Sequence, residues 1–531
     1  MSATRRVYVY LVALAGLAML AAGVANLLTG LITPLLTPGA AGDVRDEVSR
    51  WGAAALVGLP VWLVHWRWAQ GGARTSADER ASTLRRLYLY AVVAGATLSM
   101  TVVAHTAIVS IFDGEGRRAI AGLPTLLVGL VVWVYHRRVA AADRLVGGEV
   151  GGSAALRRWY TYGAAYLGLV MVLDGCQRLV AGLWLVLLTS SDAGSTLAGG
   201  TASALVGLAL WLFHWALLPR TAGGVVIDQD DSSTLRVVYL FLGLVLTVGR
   251  ALFGASQVLY YALGRLLGVD APGGVSGGLL QAAAEPASVL LVYGVGWAYG
   301  RHAIRRQARV AETPRQAGVR RLYTYLVALL ALAGWSVGVG GLLWTAADGL
   351  TNGPSTGTSG WWRDAIALSA TLATVGLPVW LVHWRPRVDV DEARSLSRRL
   401  YLYATLAAGA LALLGSAATA AYRTLSVALG AALGGWLFTD LARALAVVLV
   451  AVLLLVYHWR ALRTDAADGA ATAAATAATG AASALVRLRA ADAAALRRAL
   501  ALLADRGVEV DVLPEDGLGR GGRGVLGQEA P

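Results

Sequence analysis

The sequence predicts an all-α membrane protein of about 12 transmembrane helices, built as six parallel two-helix repeats in three four-helix units, with a small cytoplasmic C-terminal α/β element. Three observations predict it. The 531-residue chain is 57% hydrophobic and only 15% charged. Apolar runs long enough to cross a bilayer recur in pairs, nearly free of charge. One block also recurs six times, opening on Arg-Arg-x-Tyr-x-Tyr and closing in most copies on Trp-x-x-His.

The openings are Arg5–Tyr10, Arg85–Tyr90, Arg157–Tyr162, a degraded Arg236–Phe241, Arg320–Tyr325 and Arg398–Tyr403. The first apolar run of each repeat is long, as in Val7–Leu36 or Trp159–Leu188. About 30 residues give roughly 45 Å of helix against a hydrocarbon core of roughly 30 Å, so these helices must tilt, kink or protrude. The second run is shorter, as in Gly52–Trp66 or Ala365–Trp384. Lipid offers the backbone no hydrogen bonds, which favours helices, and a barrel would need an alternation of apolar and polar residues that these runs lack. The N-terminal Arg5-Arg6, apolar stretch and small Gly23-Val24-Ala25 resemble a signal peptide. The run continues to Leu36 and the same opening recurs internally, so it is read as a retained span.

Charge sets the expected topology. The net charge is +13 and all 45 basic residues are Arg. The N-terminus, the inter-repeat linkers and the flank after the last span hold 28 of them, whereas the loops inside repeats hold seven. Short basic loops stay in the cytoplasm. Both termini and all linkers are therefore expected on the cytoplasmic side of the inner (plasma) membrane. The basic balance points to topology, with anionic lipid headgroups as a further partner of the linkers, and not to nucleic acid.

The copies are unequally alike. Gly58–Arg67 recurs without change as Gly376–Arg385, and Arg85–Tyr90 recurs as Arg398–Tyr403. Repeats one and two thus match five and six, with the diverged three and four between. The expected units are residues 1–150, 151–312 and 313–463. An Ala/Thr-rich linker, 464–483, leads to a tail, 484–531. A helical pattern over Ala491–Arg506, with Gly507 as a stop before the strand-like Val508–Leu513, suggests a β-α-β element and a surface for a cytoplasmic protein partner.

Two sets of residues are candidates for chemistry. Five of the seven histidines share one repeat position: His65, His136, His214, His383 and His458. Four of them follow a Trp by three residues, the last has Leu455 there, and repeat four has Gly300 at the His position. Interfacial anchoring or structural hydrogen bonding is the expected role, with proton handling and ligation of a metal or haem as alternatives. The second set is intramembrane: Asp174, Arg178, Arg250, Gln257, Glu285 and Arg423. Charges in a span are costly and mark functional sites by default. Asp174 and Arg178 are spaced to pair on one helix. Counted from the first Arg of each repeat, one column reads Asn26, Thr106, Arg178, Gln257, Gly341 and Thr419, which suggests either a polar cavity or the outer interface. Cys176 is the single cysteine, so no intrachain disulfide or multi-cysteine metal site can form. P-loop, His-Glu-x-x-His, Gly-x-Ser-x-Gly and dinucleotide patterns are missing, and neither an enzymatic activity nor a cofactor is expected.

The Arg-Arg-x-Tyr-x-Tyr helix paired with a Trp-x-x-His helix resembles a bacterial integral-membrane domain family of unknown function, over about residues 1–463. That resemblance implies a multi-pass membrane fold and lends no activity or site residue. A membrane scaffold or sensor presenting its linkers and tail is the expected role. A transporter or channel with a polar site in repeats three and four is the alternative, and a haem- or metal-binding protein a distant third.

Overall fold

In the computed structural model, residues 3–36, 44–148, 152–216, 221–222, 225–226, 234–275, 277–310, 314–352, 360–386, 388–430, 435–478, 496 and 499–503 are described. Helices dominate: α1 (Ala3–Leu36), α2 (Val44–Thr75), α3 (Ala77–Ala81), α4 (Thr83–Phe112), α5 (Gly116–Ala121), α6 (Leu123–Gly147), α7 (Gly152–Thr189) and α8 (Gly194–Trp211). They continue as α9 (Thr234–Leu266), α10 (Leu279–Val310), α11 (Pro314–Asn352), α12 (Trp361–His383), α13 (Val390–Ala393), α14 (Leu396–Ala428) and α15 (Gly435–Ala478). The long helices pair as six hairpins: α1 with α2, α4 with α6, α7 with α8, α9 with α10, α11 with α12, and α14 with α15. Among the described residues eleven helices are long and apolar enough to cross a membrane. Large apolar side chains such as Leu11, Leu98, Leu127, Leu291, Val337 and Leu411 face outward along them, as lipid requires.

Two parts of the expected fold class are corrected. The expected count was about 12 spans, and among the described residues α2 does not qualify. Its apolar centre is flanked by Arg45, Asp46, Glu47 and Arg50 at one end and by Trp66-Arg67-Trp68 at the other. The expected C-terminal α/β element is also overturned. The described tail residues, Leu496 and Ala499–Leu503, are helical. The strands among the described residues are the two-residue Thr221–Ala222 and Val225–Val226, well before the tail in the sequence. Val508–Leu513 lies outside the described residues. Ala, Leu and Arg are the strongest helix formers, and a lone short strand has no sheet to join. The same Ala-richness carries α15 on to Ala478, so the stretch expected as a linker is helical over its described part.

The chain divides into two units, Met1–Ala467 and Asp468–Pro531. Within the first, the hairpins stack serially. The leading helices α1, α4, α7, α9, α11 and α14 each touch the next. The second helix of a hairpin also leans on the leading helix before it: α6 on α1, α8 on α4, α10 on α7 and α12 on α9. Each hairpin therefore contacts its sequence neighbours.

Small residues let the paired backbones approach. A Cβ on Gly16 would sit 2.7 Å from the Trp62 amide nitrogen, and one on Gly58 would sit 2.6 Å from that of Leu20. Gly168 meets Trp211 in the same way, and Gly175 lies against the Ala204 backbone. Apolar lipid supplies no hydrophobic drive between helices, so this close packing is a principal source of their association. In hairpins two and six the contact runs through side chains instead, with Gly129 against Met100 and Gly409 against Leu455.

Replacing Gly175 by Val should therefore force α7 and α8 apart and lower the melting temperature in detergent by several degrees, an effect on the order of 1–3 kcal/mol. Gly163, on the same helix with nothing within 4 Å of a built Cβ, should accept Val with little change. Equal melting temperatures for the two variants would contradict this packing account.

Candidate functional site

The repeated aromatic residues meet at one end of the array, where the leading helices begin and the second helices finish. The indole Nε1–H of the Trp in each hairpin donates to the first Tyr of the next. The bonds are Trp62 to Tyr88 at 3.2 Å, Trp133 to Tyr160 at 3.2 Å and Trp211 to Tyr239 at 2.9 Å. Trp297 to Tyr323 at 3.0 Å and Trp380 to Tyr401 at 2.8 Å complete the five junctions. The sixth hairpin has Leu455 at the Trp position.

The histidines extend these bonds. In each of the five, Nδ1 lies 2.7–2.9 Å from the carbonyl oxygen four residues earlier, on Val61, Val132, Leu210, Val379 and Leu454. A carbonyl only accepts, so Nδ1 bears the proton and Nε2 of the neutral ring is an acceptor. Nε2 faces the Tyr hydroxyl of its own hairpin at 3.3 Å for His65 and Tyr8, and at 3.3 Å for His136 and Tyr88. The same distance is 2.8 Å for His214 and Tyr160, and 3.0 Å for His458 and Tyr401. Each such hydroxyl donates to His, and from the second hairpin on it also accepts from Trp. Hairpin four, with Gly300, gives Tyr239 no imidazole, and in hairpin five His383 meets Tyr323 edge-on at 5.9 Å between ring centroids. Where it is bonded to Tyr, the imidazole lone pair that would bind a metal is already engaged. Among the described residues no group of three or more His, Cys, Asp or Glu side chains could hold a metal ion.

Around this line of bonds sit two matching ionic clusters. Fully buried Arg85 donates from Nε to Asp143 at 2.7 Å and from Nη2 to Gln70 at 2.9 Å, with its guanidinium over the Trp66 ring. Fully buried Arg398 donates from Nε and Nη2 to Asp465 at 2.7 and 3.0 Å, over the Trp384 ring. The Tyr10 hydroxyl donates to Glu79 at 3.2 Å, and Tyr325 to Glu392 at 2.8 Å. Trp66 donates to Tyr135 at 2.7 Å, and Trp384 to Tyr457 at 2.9 Å. The clusters around Arg85 and Arg398 thus share one construction. In hairpins three and four the rings of Tyr162, Trp215 and Tyr239 pack together in the corresponding place, Trp215 stacked on Tyr239.

The acidic members escaped the sequence reading, although the signal was present. Glu79 and Glu392 each lie six residues before the Arg-Arg pair, and Asp143 and Asp465 each lie seven after the shared His. A further polar bridge, His105 Nε2 to Ser203 Oγ at 3.1 Å, joins hairpins two and three.

The intramembrane candidates do not all converge. Arg178 donates to Asp174 at 2.8 Å along α7. On α9 the Arg250 guanidinium lies 5.3 Å from the centre of the buried Tyr293 ring of α10. Arg250, Asp174 and Arg178 all act electrostatically on Tyr293, which packs with Leu173, Ala251 and Val289. Arg423 belongs elsewhere: it pairs with Asp440, which also faces Arg443, and Arg443 in turn holds Asp348 at 2.5 and 2.6 Å. Glu285 is exposed on α10 and Gln257 is half-buried on α9. In the polar column, Asn26, Thr106 and Thr419 satisfy themselves on carbonyls four residues back.

One family matches the chain, described as a domain of unknown function (DUF5671), over residues 6–118, 158–295 and 321–438. The three matches begin at the second Arg of hairpins one, three and five. No curated protein and no solved structure matches.

Tyr88→Phe strands an indole N–H and an imidazole nitrogen together, whereas Tyr239→Phe strands only the Trp211 N–H. The first should cost ~1–3 kcal/mol and clearly more than the second, read as melting temperature. Asp465→Asn, which removes the charge opposite buried Arg398, should cost ~3–5 kcal/mol. A wild-type melting temperature for either Tyr88→Phe or Asp465→Asn would show that these bonds do not hold the array.

Proposed function

The chain belongs to the DUF5671 family, and from its geometry we propose that it is a membrane scaffold or sensor, a polytopic helical platform that presents its linkers and C-terminal tail on the cytoplasmic side of the inner membrane. The observation that carries this reading is the run of five Trp-to-Tyr bonds, all at the end from which the linkers emerge. They tie each hairpin to the next and hold the linker ends at fixed spacing, which is what segments read by a partner require. The buried Arg–Asp pairs support the same reading, because they pin the start of α4 to the end of α6 and the start of α14 to α15. Basic linkers facing the cytoplasm would also lie against anionic headgroups. The same end being internally hydrogen-bonded argues for the histidines as structural members.

A second reading, a solute- or ion-binding membrane region, is favoured by the charges of α7 and α9 around Tyr293.

The scaffold reading is tested by deleting residues 468–531 and, separately, by reversing charge in one linker, Arg301, Arg305 and Arg306 to Glu. Photo-crosslinkers placed in the tail and linkers of the full chain in cells should give discrete adducts. Both variants should lose them while the membrane region keeps its melting temperature. Unchanged adducts in both variants would sink the scaffold reading.

A further inference from the structure

We propose that Arg250, with Tyr293 and the Asp174–Arg178 pair beside it, forms a binding site near mid-membrane depth for a monovalent carboxylate anion. The proposal rests on the second reading for access of the ligand, and it names the ligand class.

Position comes first. Arg250 lies near the middle of the span Val238–Leu266 and is half-buried. A charged side chain at that depth is among the costliest placements in a membrane protein and needs compensation. Among the described residues Arg250 makes no ion pair; its partner is Tyr293, over whose ring it lies. A guanidinium carries five N–H donors, and one phenol leaves most of them without an acceptor. Asp174 is the nearby carboxylate, but it is engaged by Arg178 at 2.8 Å. Two guanidinium groups, one carboxylate and a neutral phenol leave one positive charge in excess.

The repeat shows that the fold does not need this charge. At the register of Arg250 the other hairpins carry Met19, Ser99, Met171, Gly334 and Ala412. At the register of Asp174 they carry Ala22, Val102, Phe253, Val337 and Gly415. The serial array forms over both sets. Two other cations within spans, Arg423 and Arg443, each have an acidic partner, whereas Arg250 has none among the described residues.

Chemistry selects the ligand. A guanidinium presents a planar fork that matches a carboxylate with two parallel hydrogen bonds, and a single negative charge is the amount the cluster lacks. The site is also reachable: the Arg178 side chain is 51% exposed beside the glycine pair Gly199-Gly200, so the pair borders the surface of α7 and α8. A carboxylate can come from a small free acid or from a fatty acid in the bilayer, and the two share this chemistry.

The experiment uses the full chain in nanodiscs of neutral phosphatidylcholine at constant ionic strength. Acetate, benzoate and oleate are titrated separately, and binding is followed by calorimetry and by the rise in melting temperature. At least one of them should bind saturably to the wild type. Arg250→Gln should weaken that binding at least tenfold, Arg250→Lys less, and Tyr293→Phe a few-fold. Asp174→Asn should tighten it by releasing Arg178, and Arg423→Gln should leave it unchanged. Oleate alone binding assigns the source to the acyl chain; acetate or benzoate binding assigns it to a free acid. No saturable binding by folded wild type, or wild-type affinity in Arg250→Gln, overturns the proposal. If Arg250→Gln fails to fold, the opposite shifts expected of Arg250→Lys and Asp174→Asn decide the matter, and the absence of both overturns it. Flux of the same acid into vesicles is read independently, so binding without flux removes passage while leaving the site.

Discussion

A buried tyrosine hydroxyl can accept one hydrogen bond and donate another, and this array is organised by that pairing. The Trp of one hairpin supplies the donor and the His of the next supplies the acceptor. Each partner is fixed in turn: the indole can only donate, and the imidazole is held in one tautomer by a carbonyl of its own helix. Direction is thereby built into the chain. A hairpin gives forward and receives from behind, so order along the sequence becomes order in space. In lipid, where apolar contact does not distinguish one helix from another, such directed bonds select neighbours.

The ionic clusters are arranged on this line with a longer period. They recur in hairpins two and six and bind the linker before the Arg-Arg pair to the end of the following helix. Fully buried guanidinium groups are tolerated because each has a carboxylate, carbonyl oxygens and an indole face around it. The family matches start at the second Arg of hairpins one, three and five, one hairpin before each cluster in the first and last cases.

Much of this was legible in the residues. Period, hairpin order and the long leading helices follow from apolar run length and from the recurring Arg, Tyr, Trp and His. The number of qualifying spans did not, because α2 places charge and aromatic residues at both ends of a short apolar centre. In the tail the described residues, Leu496 and Ala499–Leu503, are helical, as their Ala- and Leu-rich sequence prefers. At the site, the pairing of Asp174 with Arg178 could be read from spacing on one helix. Partners on different helices could not: Arg250 over Tyr293 and Arg423 with Asp440 depend on which faces meet. The histidines illustrate the same limit. Their shared position was visible, but the tautomer and the Tyr partner depend on geometry.

Leu455 gives the directional bond a terminus. The first hairpin shows Tyr8 bonded to His65 but, among the described residues, with no indole N–H on its hydroxyl oxygen, while the sixth offers a leucine where each earlier hairpin offers an N–H. If a second copy laid its sixth hairpin against this first one, Leu455 would arrive at Tyr8 and the junction bond would not form. Head-to-tail contacts are the ones that grow into open filaments. A head-to-tail contact of that kind would lack the bond that joins each internal pair of hairpins.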